Sequence, residues 1–155
     1  MPDWGTLMSE HRAGILWRRE SRDFTYESYN RGHQWSFDNG ISVAASAAVR
    51  FLGTPDRVDP EEAFVAAVSS CHMLSFLAIC ARKRIVVDSY EDAAVGYLEK
   101  NDRGKLAITR VSLDPEIVFA GSPPPAGTIR KIHHLSHDEC FIANSVTTEI
   151  TVNGV

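Results

Sequence analysis

Cys71 and Cys140 are the residues of this chain best suited to covalent chemistry. Each lies in or just after a stretch that reads as helix, and 3 cysteines in 155 residues are too few for a disulfide scaffold. The first sits in the apolar run that follows Asp59-Pro60-Glu61-Glu62, and the second in His137-Asp138-Glu139-Cys140-Phe141-Ile142-Ala143-Asn144. Glu61 and Glu62 stand ten and nine residues before Cys71, a carboxylate pair that packing alone does not explain. The pattern suggests one thiol of controlled reactivity and a second that completes its chemistry.

A thiol attacks as the thiolate, and an apolar helix by itself keeps it protonated. A cation must therefore approach Cys71, and a carboxylate must hold that cation. Arg50 is the first candidate, Arg57 the second, and Glu61 the candidate clamp. Ten helical residues span about 15 Å. Glu61 thus reaches Cys71 only through a long arginine side chain, or through a helix break near Ser69-Ser70.

The rest of the sequence must position these groups. Length fits one domain with a real core. With 44% hydrophobic and 23% charged residues, the composition is that of an ordinary globular protein. A net charge of −4 speaks against a nucleic-acid surface, and the basic triplet Arg82-Lys83-Arg84 suits the end of a helix. Residues 1–11 are polar and carry no apolar signal region, so a cytoplasmic, reducing location is expected. Ser69, Ser70, Cys71 and His72 interrupt the apolar run from Ala63 to Ala81, which favours a buried core helix over a membrane span.

The predicted order is α+β. A polar, flexible segment over 1–13 precedes a single domain over 14–155. Runs at 14–18, 23–30, 33–38 and 41–48 read as an antiparallel meander, with Asn30-Arg31-Gly32 and Asp38-Asn39-Gly40 as turns. Asp59, Pro60 and Glu62 then open a long helix, apolar almost all round, that should form the centre of the core. Strands follow at 86–87, 93–99, 105–113 and 117–119, with Asn101-Asp102-Arg103-Gly104 as a hairpin turn. Gly121–Pro125 is a stiff loop before a helix over 128–137 that presents Ile129, Ile132 and Leu135. Residues 147–152 form the last strand.

In this arrangement the residues resemble the OsmC/Ohr family of organic hydroperoxide reductases. Pro60-Glu61-Glu62 with Ser70-Cys71 matches the first half of the family signature. Cys140-Phe141-Ile142-Ala143-Asn144 matches the second, at a spacing of 140 − 71 = 69. Arg50-Phe51 resembles the Arg-Phe of the OsmC branch, and the likeness runs over about residues 14–152. Phe141 stands where the family usually has proline and His72 where it often has an aromatic; Cys80 is additional. The resemblance implies antiparallel sheets wrapped around the long helix, in an intertwined homodimer. It further implies that Arg50, clamped by Glu61, stabilises the Cys71 thiolate. An organic hydroperoxide would then convert Cys71 to a sulfenic acid, Cys140 would close a disulfide, and a lipoyl-type dithiol would reopen it. No cofactor, nucleic acid or membrane partner is expected.

Each residue also has a plainer reading. Cys71 could be a small buried residue and Glu61 a first-turn carboxylate favoured by the helix dipole. Cys80, nine residues past Cys71 and half a turn out of phase, reads as structural. A metal site is a different class of answer, with His133, His137 and Cys140 joined by Cys71 or His72. A small-ligand binding protein on the same fold, without turnover, is a third.

Overall fold

The computed structural model describes residues 8–155, so the first half of the segment expected to be flexible lies outside the described residues. The chain comprises two compact units, one ending at Pro60 and one spanning Glu61–Val155. In the first, β1 (Gly14–Leu16), β2 (His33–Ser36) and β3 (Ser42–Ala45) form an antiparallel meander in that order. The β2–β3 connection is the predicted turn. Asn39 and Gly40 take φ of 64° and 74°, a region open to Asn and Gly, and Phe37 N–H donates to the Ile41 carbonyl at 2.8 Å.

The strand expected over 23–30 is absent; the segment is a turn. Tyr29 N–H donates back to the Thr25 carbonyl, and Phe24 and Tyr29 pack on each other and on Trp17 at ring separations of 5.4–6.5 Å. Arg31 explains the override. Its guanidinium lies 3.7 Å from the Tyr29 ring centroid and donates to the Tyr26 and Tyr29 carbonyls, giving those backbone groups the partners a neighbouring strand would otherwise supply. Arg57 does similar service on β2 and β3, donating from Nη1 to the His33 and Ala45 carbonyls at 3.1 and 3.5 Å.

The second unit is built on α1 (Pro60–Arg82). Pro60 occupies the first helical position, where its missing N–H costs nothing, and Glu61 and Glu62 complement the positive end of the helix dipole. The helix runs unbroken through Ser69-Ser70, so the break that would have brought Glu61 to Cys71 does not occur. Its buried residues are Val68, His72, Phe76, Ile79 and Cys80, a single stripe at helical spacing. The helix packs at the core through this stripe, and Leu74, off the stripe, is 61% exposed. By length and composition α1 could cross a membrane, yet its stripe packs against two sheets and a second helix.

β4 (Val87–Asp92) pairs with β7 (Pro115–Phe119), and β6 (Leu106–Leu113) lies between β5 (Val95–Lys100) and β8 (Glu149–Val152). Strand β4 runs further than the apolar pair at 86–87 indicated. The β6–β8 pair is parallel, not antiparallel, because α2 (Ala126–Glu139) intervenes and carries the chain back to the starting end. Two clusters form the core. Val68 packs with Val111 and Leu113, backed by Phe64, Val65 and Ile108; Phe76, Ile79 and Cys80 pack with Ile132 of α2, backed by Tyr90 and Ile117. Gly96 of β5 sits so close to α1 that a Cβ there would meet Val65 Cγ2 at 2.4 Å.

Candidate active site

Cys71 is half-buried on α1, and Cys140 is buried at the residue that ends α2. All three cysteines are free thiols, and the Cys71 side chain lies near enough to Cys140 to contribute to the shift of its thiol. Residues 69 positions apart in the chain are thus brought near one another. The turn that holds Cys140 is tied from several sides. Asn144 donates from Nδ2 to the Asp138 and Cys140 carbonyls at 2.8 and 3.0 Å, satisfying groups that the helix end leaves open. Ser145 Oγ donates to the Phe141 carbonyl at 2.7 Å, and Ala143 N–H points at Cys140 Sγ at 3.4 Å. Burial pushes the Cys140 thiol from its ordinary 9.0 up to about 11. The neighbouring Cys71 thiol adds to the rise, while the N–H groups of Ala143 and Ile142 oppose it.

Beside this pair lies a second contact that the sequence did not disclose. His72, next to Cys71, and His133, two turns before Cys140, hydrogen-bond through Nε2 and Nδ1 at 3.0 Å. The rings are within 7° of parallel with centroids 5.4 Å apart; with the nitrogens in contact, they meet edge to edge. Only 1% and 3% of these residues is exposed. Both imidazoles are pulled from 6.5 down to about 4, first by burial. At neutral pH the pair is therefore uncharged, one ring donating and the other accepting. Asp92, which accepts a hydrogen bond from Ser69 of α1 and another from Asp114 N–H, is the one nearby influence that raises His72.

The remaining sequence-derived candidates distribute as follows. Glu61 is half-buried in the first turn of α1, about 15 Å along the axis from Cys71. Arg50 belongs to the other unit, in the short 3-10 turn Val49–Phe51, with its guanidinium 6.0 Å from the Phe51 ring centroid. Arg57, the second candidate cation, is engaged on backbone carbonyls. Cys80 is buried in the Phe76–Ile132 cluster, and burial raises its thiol. Phe141 is 75% exposed. Among the described residues no group of three or more His, Cys, Asp or Glu side chains is disposed to hold a metal, and His133 is paired with His72 instead. Two features of the site escaped sequence reading, Asp92 and the pairing of His133 with His72, while Asn144 was read only as part of the motif after Cys140 and its role in holding the turn was not. Asn144 alone left a local signal, because Asn readily bonds nearby backbone in turns.

A long helix with a thiol at mid-length, a second thiol at the end of α2 and sheets packed on the helix define an α+β protein of paired-cysteine type. The chain belongs to the OsmC-like protein family, whose model matches residues 53–154. It is 51% identical to an OsmC-like protein of unknown function from Vibrio cholerae, with a TM-score of 0.89 over 94% of this chain and 99% of that one. An organic hydroperoxide resistance protein from Elizabethkingia anophelis shares the fold at 16% identity, with a TM-score of 0.71 over 94% and 96% of the two chains. The organic hydroperoxide resistance protein OsmC from Legionella pneumophila does so at 14% identity and a TM-score of 0.69, over 95% and 98%. No curated relative matches the chain.

Proposed function

We propose that this protein is a thiol-dependent peroxidase that reduces organic hydroperoxides to alcohols, working as a homodimer in a reducing compartment. The observation that carries the reading is the proximity of two free thiols, Cys71 on α1 and Cys140 at the end of α2. Family membership and fold relatives known as organic hydroperoxide resistance proteins support it. The Cys71 thiolate attacks the distal peroxide oxygen; the O–O bond breaks, and the departing alkoxide takes a proton to become the alcohol. Cys71 is left as a sulfenic acid. Cys140 then attacks that sulfur, a disulfide forms and water leaves. An external dithiol reduces the disulfide by exchange and is itself oxidised to a disulfide. Arg50 is assigned to stabilising the thiolate and Glu61 to orienting the guanidinium. The apolar stretches of α1 around Cys71 suit an organic substrate over hydrogen peroxide.

Turnover of a bulky organic hydroperoxide with dihydrolipoamide as reductant tests the proposal. Wild type and Cys80→Ser should turn over, Cys71→Ser should be inactive, and Cys140→Ser should reduce one peroxide per subunit and then stop. Activity lost in Cys80→Ser but kept in Cys140→Ser would transfer the resolving role to Cys80.

A further inference from the structure

The His72–His133 bond joins the two helices that carry the two thiols. His72 follows Cys71 directly on α1, and His133 lies seven residues before Cys140 on α2. Seven residues are close to two full helical turns, so His133 and Cys140 project from nearly the same side of α2. Around the bond the contacts are apolar or aromatic: the Phe76 ring lies 4.5 Å from His133, and Ile132 packs with Ile79 and Cys80. Apolar contacts of that kind tolerate small shifts of one helix along another. A single directional bond does not, because a misaligned buried donor and acceptor lose their partners. Arg82 at the C-terminal end of α1 also meets Glu139, the residue before Cys140, at 3.7 Å, but both side chains are about half exposed and constrain little.

We propose that the His72–His133 hydrogen bond is a positioning device that fixes the register of α2 against α1 and thereby delivers Cys140 to the oxidised sulfur of Cys71. The inference rests on the proposed thiol couple and adds to it the residues that control its second step. Neither imidazole is assigned contact with the peroxide. Attack on the peroxide needs Cys71 and the groups assigned to its activation but no residue of α2, so the pair should govern disulfide closure and leave the first step nearly untouched. In closure the Cys140 thiolate bonds to Cys71 sulfur as the S–O bond of the sulfenic acid breaks, and the oxygen leaves as water after taking a proton. Register matters there because a disulfide tolerates only a narrow range of Cα separations and dihedral angles.

The geometry also supplies a conservative control. Histidine bonding through Nε2 is imitated in reach by glutamine, and histidine bonding through Nδ1 by asparagine. His72→Gln/His133→Asn should therefore keep the bond, whereas His72→Leu/His133→Leu removes both polar partners and leaves neither orphaned. Each protein, reduced and checked for native circular dichroism, is given one equivalent of organic hydroperoxide in the presence of dimedone. Mass spectrometry then reads the division of Cys71 between dimedone adduct and Cys71–Cys140 disulfide. In the leucine pair, peroxide consumption in the first turnover should stay within a few-fold of wild type. Disulfide closure should slow about tenfold, the equivalent of one hydrogen bond, with a matching rise in adduct. The amide pair should restore the wild-type division. Should the leucine pair not fold, His133→Leu alone should show the same shift. Unchanged division in a folded variant lacking the bond, or no rescue by the amide pair, overturns the inference while leaving the thiol couple standing. Absence of any disulfide in wild type overturns the couple, and the inference with it.

Discussion

In the proposed cycle, the raised Cys140 thiol should make disulfide closure the pH-sensitive step. Burial lifts it from 9.0 to about 11, two units above an ordinary thiol. At pH 7.5 its thiolate fraction is then about 3 in 10,000, roughly 100-fold below that of an unperturbed cysteine. Oxidation of Cys71 removes the neighbouring thiol that contributes to the rise, but burial, the larger cause, remains. Closure in wild type should therefore accelerate by close to tenfold per pH unit from pH 7 to 9, since exchange rates follow thiolate population. The assay is a single turnover with organic hydroperoxide, quenched at intervals and resolved by mass spectrometry into sulfenic acid, trapped as its dimedone adduct, and disulfide. A closure rate that is flat between pH 7 and 9 would refute the reasoning, because it would mean that Cys140 is already ionised or that closure is limited by motion.

Other expectations follow from individual contacts. His72 and His133 titrate near 4 when folded against 6.5 when unfolded, so between those values the unfolded chain binds more protons. Stability is thus fully present above pH 6.5 and declines as pH falls to 4, by at most about 3 kcal/mol for an imidazole shifted this far. The groups facing the pair are Asp92 on β4 and His134 and His137 on α2, and urea titrations should show His72→Gln/His133→Asn losing less stability over that range. Equal pH dependence in both proteins would contradict this. Gly96→Ala brings a methyl group to 2.4 Å from Val65 Cγ2, on a side chain whose branching leaves it little freedom to turn. A loss of about 1–3 kcal/mol is expected, part of it recovered on adding Val65→Ala; an unchanged urea midpoint for Gly96→Ala would count against the packing. Arg50→Ala should slow alkylation of Cys71 and Arg50→Lys should restore only part, because an ammonium cannot grip a carboxylate through two bonds. A larger effect in Arg57→Ala would reassign the cation.

Local chemistry made some elements legible and nonlocal contacts hid others. Pro60 after Asp59, Asn39-Gly40 and Gly104 each impose one backbone geometry regardless of the fold around them, and their helix start and turns were read correctly. The stretch 23–30 misled because Phe24, Tyr26 and Tyr29 have strand-like composition yet are stacked on Trp17 and Arg31. Strand β4 was hidden by Asp88, Glu91 and Asp92, whose charges disfavour a strand that pairing with β7 nevertheless enforces. The two cysteines were visible because their types and flanking motifs are unusual. His72 looked like a mere change of side chain beside Cys71. Its meaning depends on His133, 61 residues away, and no local pattern carries that information.

The central claim is that Cys71 and Cys140 form a redox couple driven by organic hydroperoxide. Mass spectrometry of the reduced protein after one equivalent of hydroperoxide tests it most directly. The account predicts a loss of two hydrogens from the intact chain and a linked peptide pair containing Cys71 and Cys140, with Cys80 still free. Recovery of both thiols unmodified, or a disulfide that involves Cys80 in place of Cys140, would contradict it.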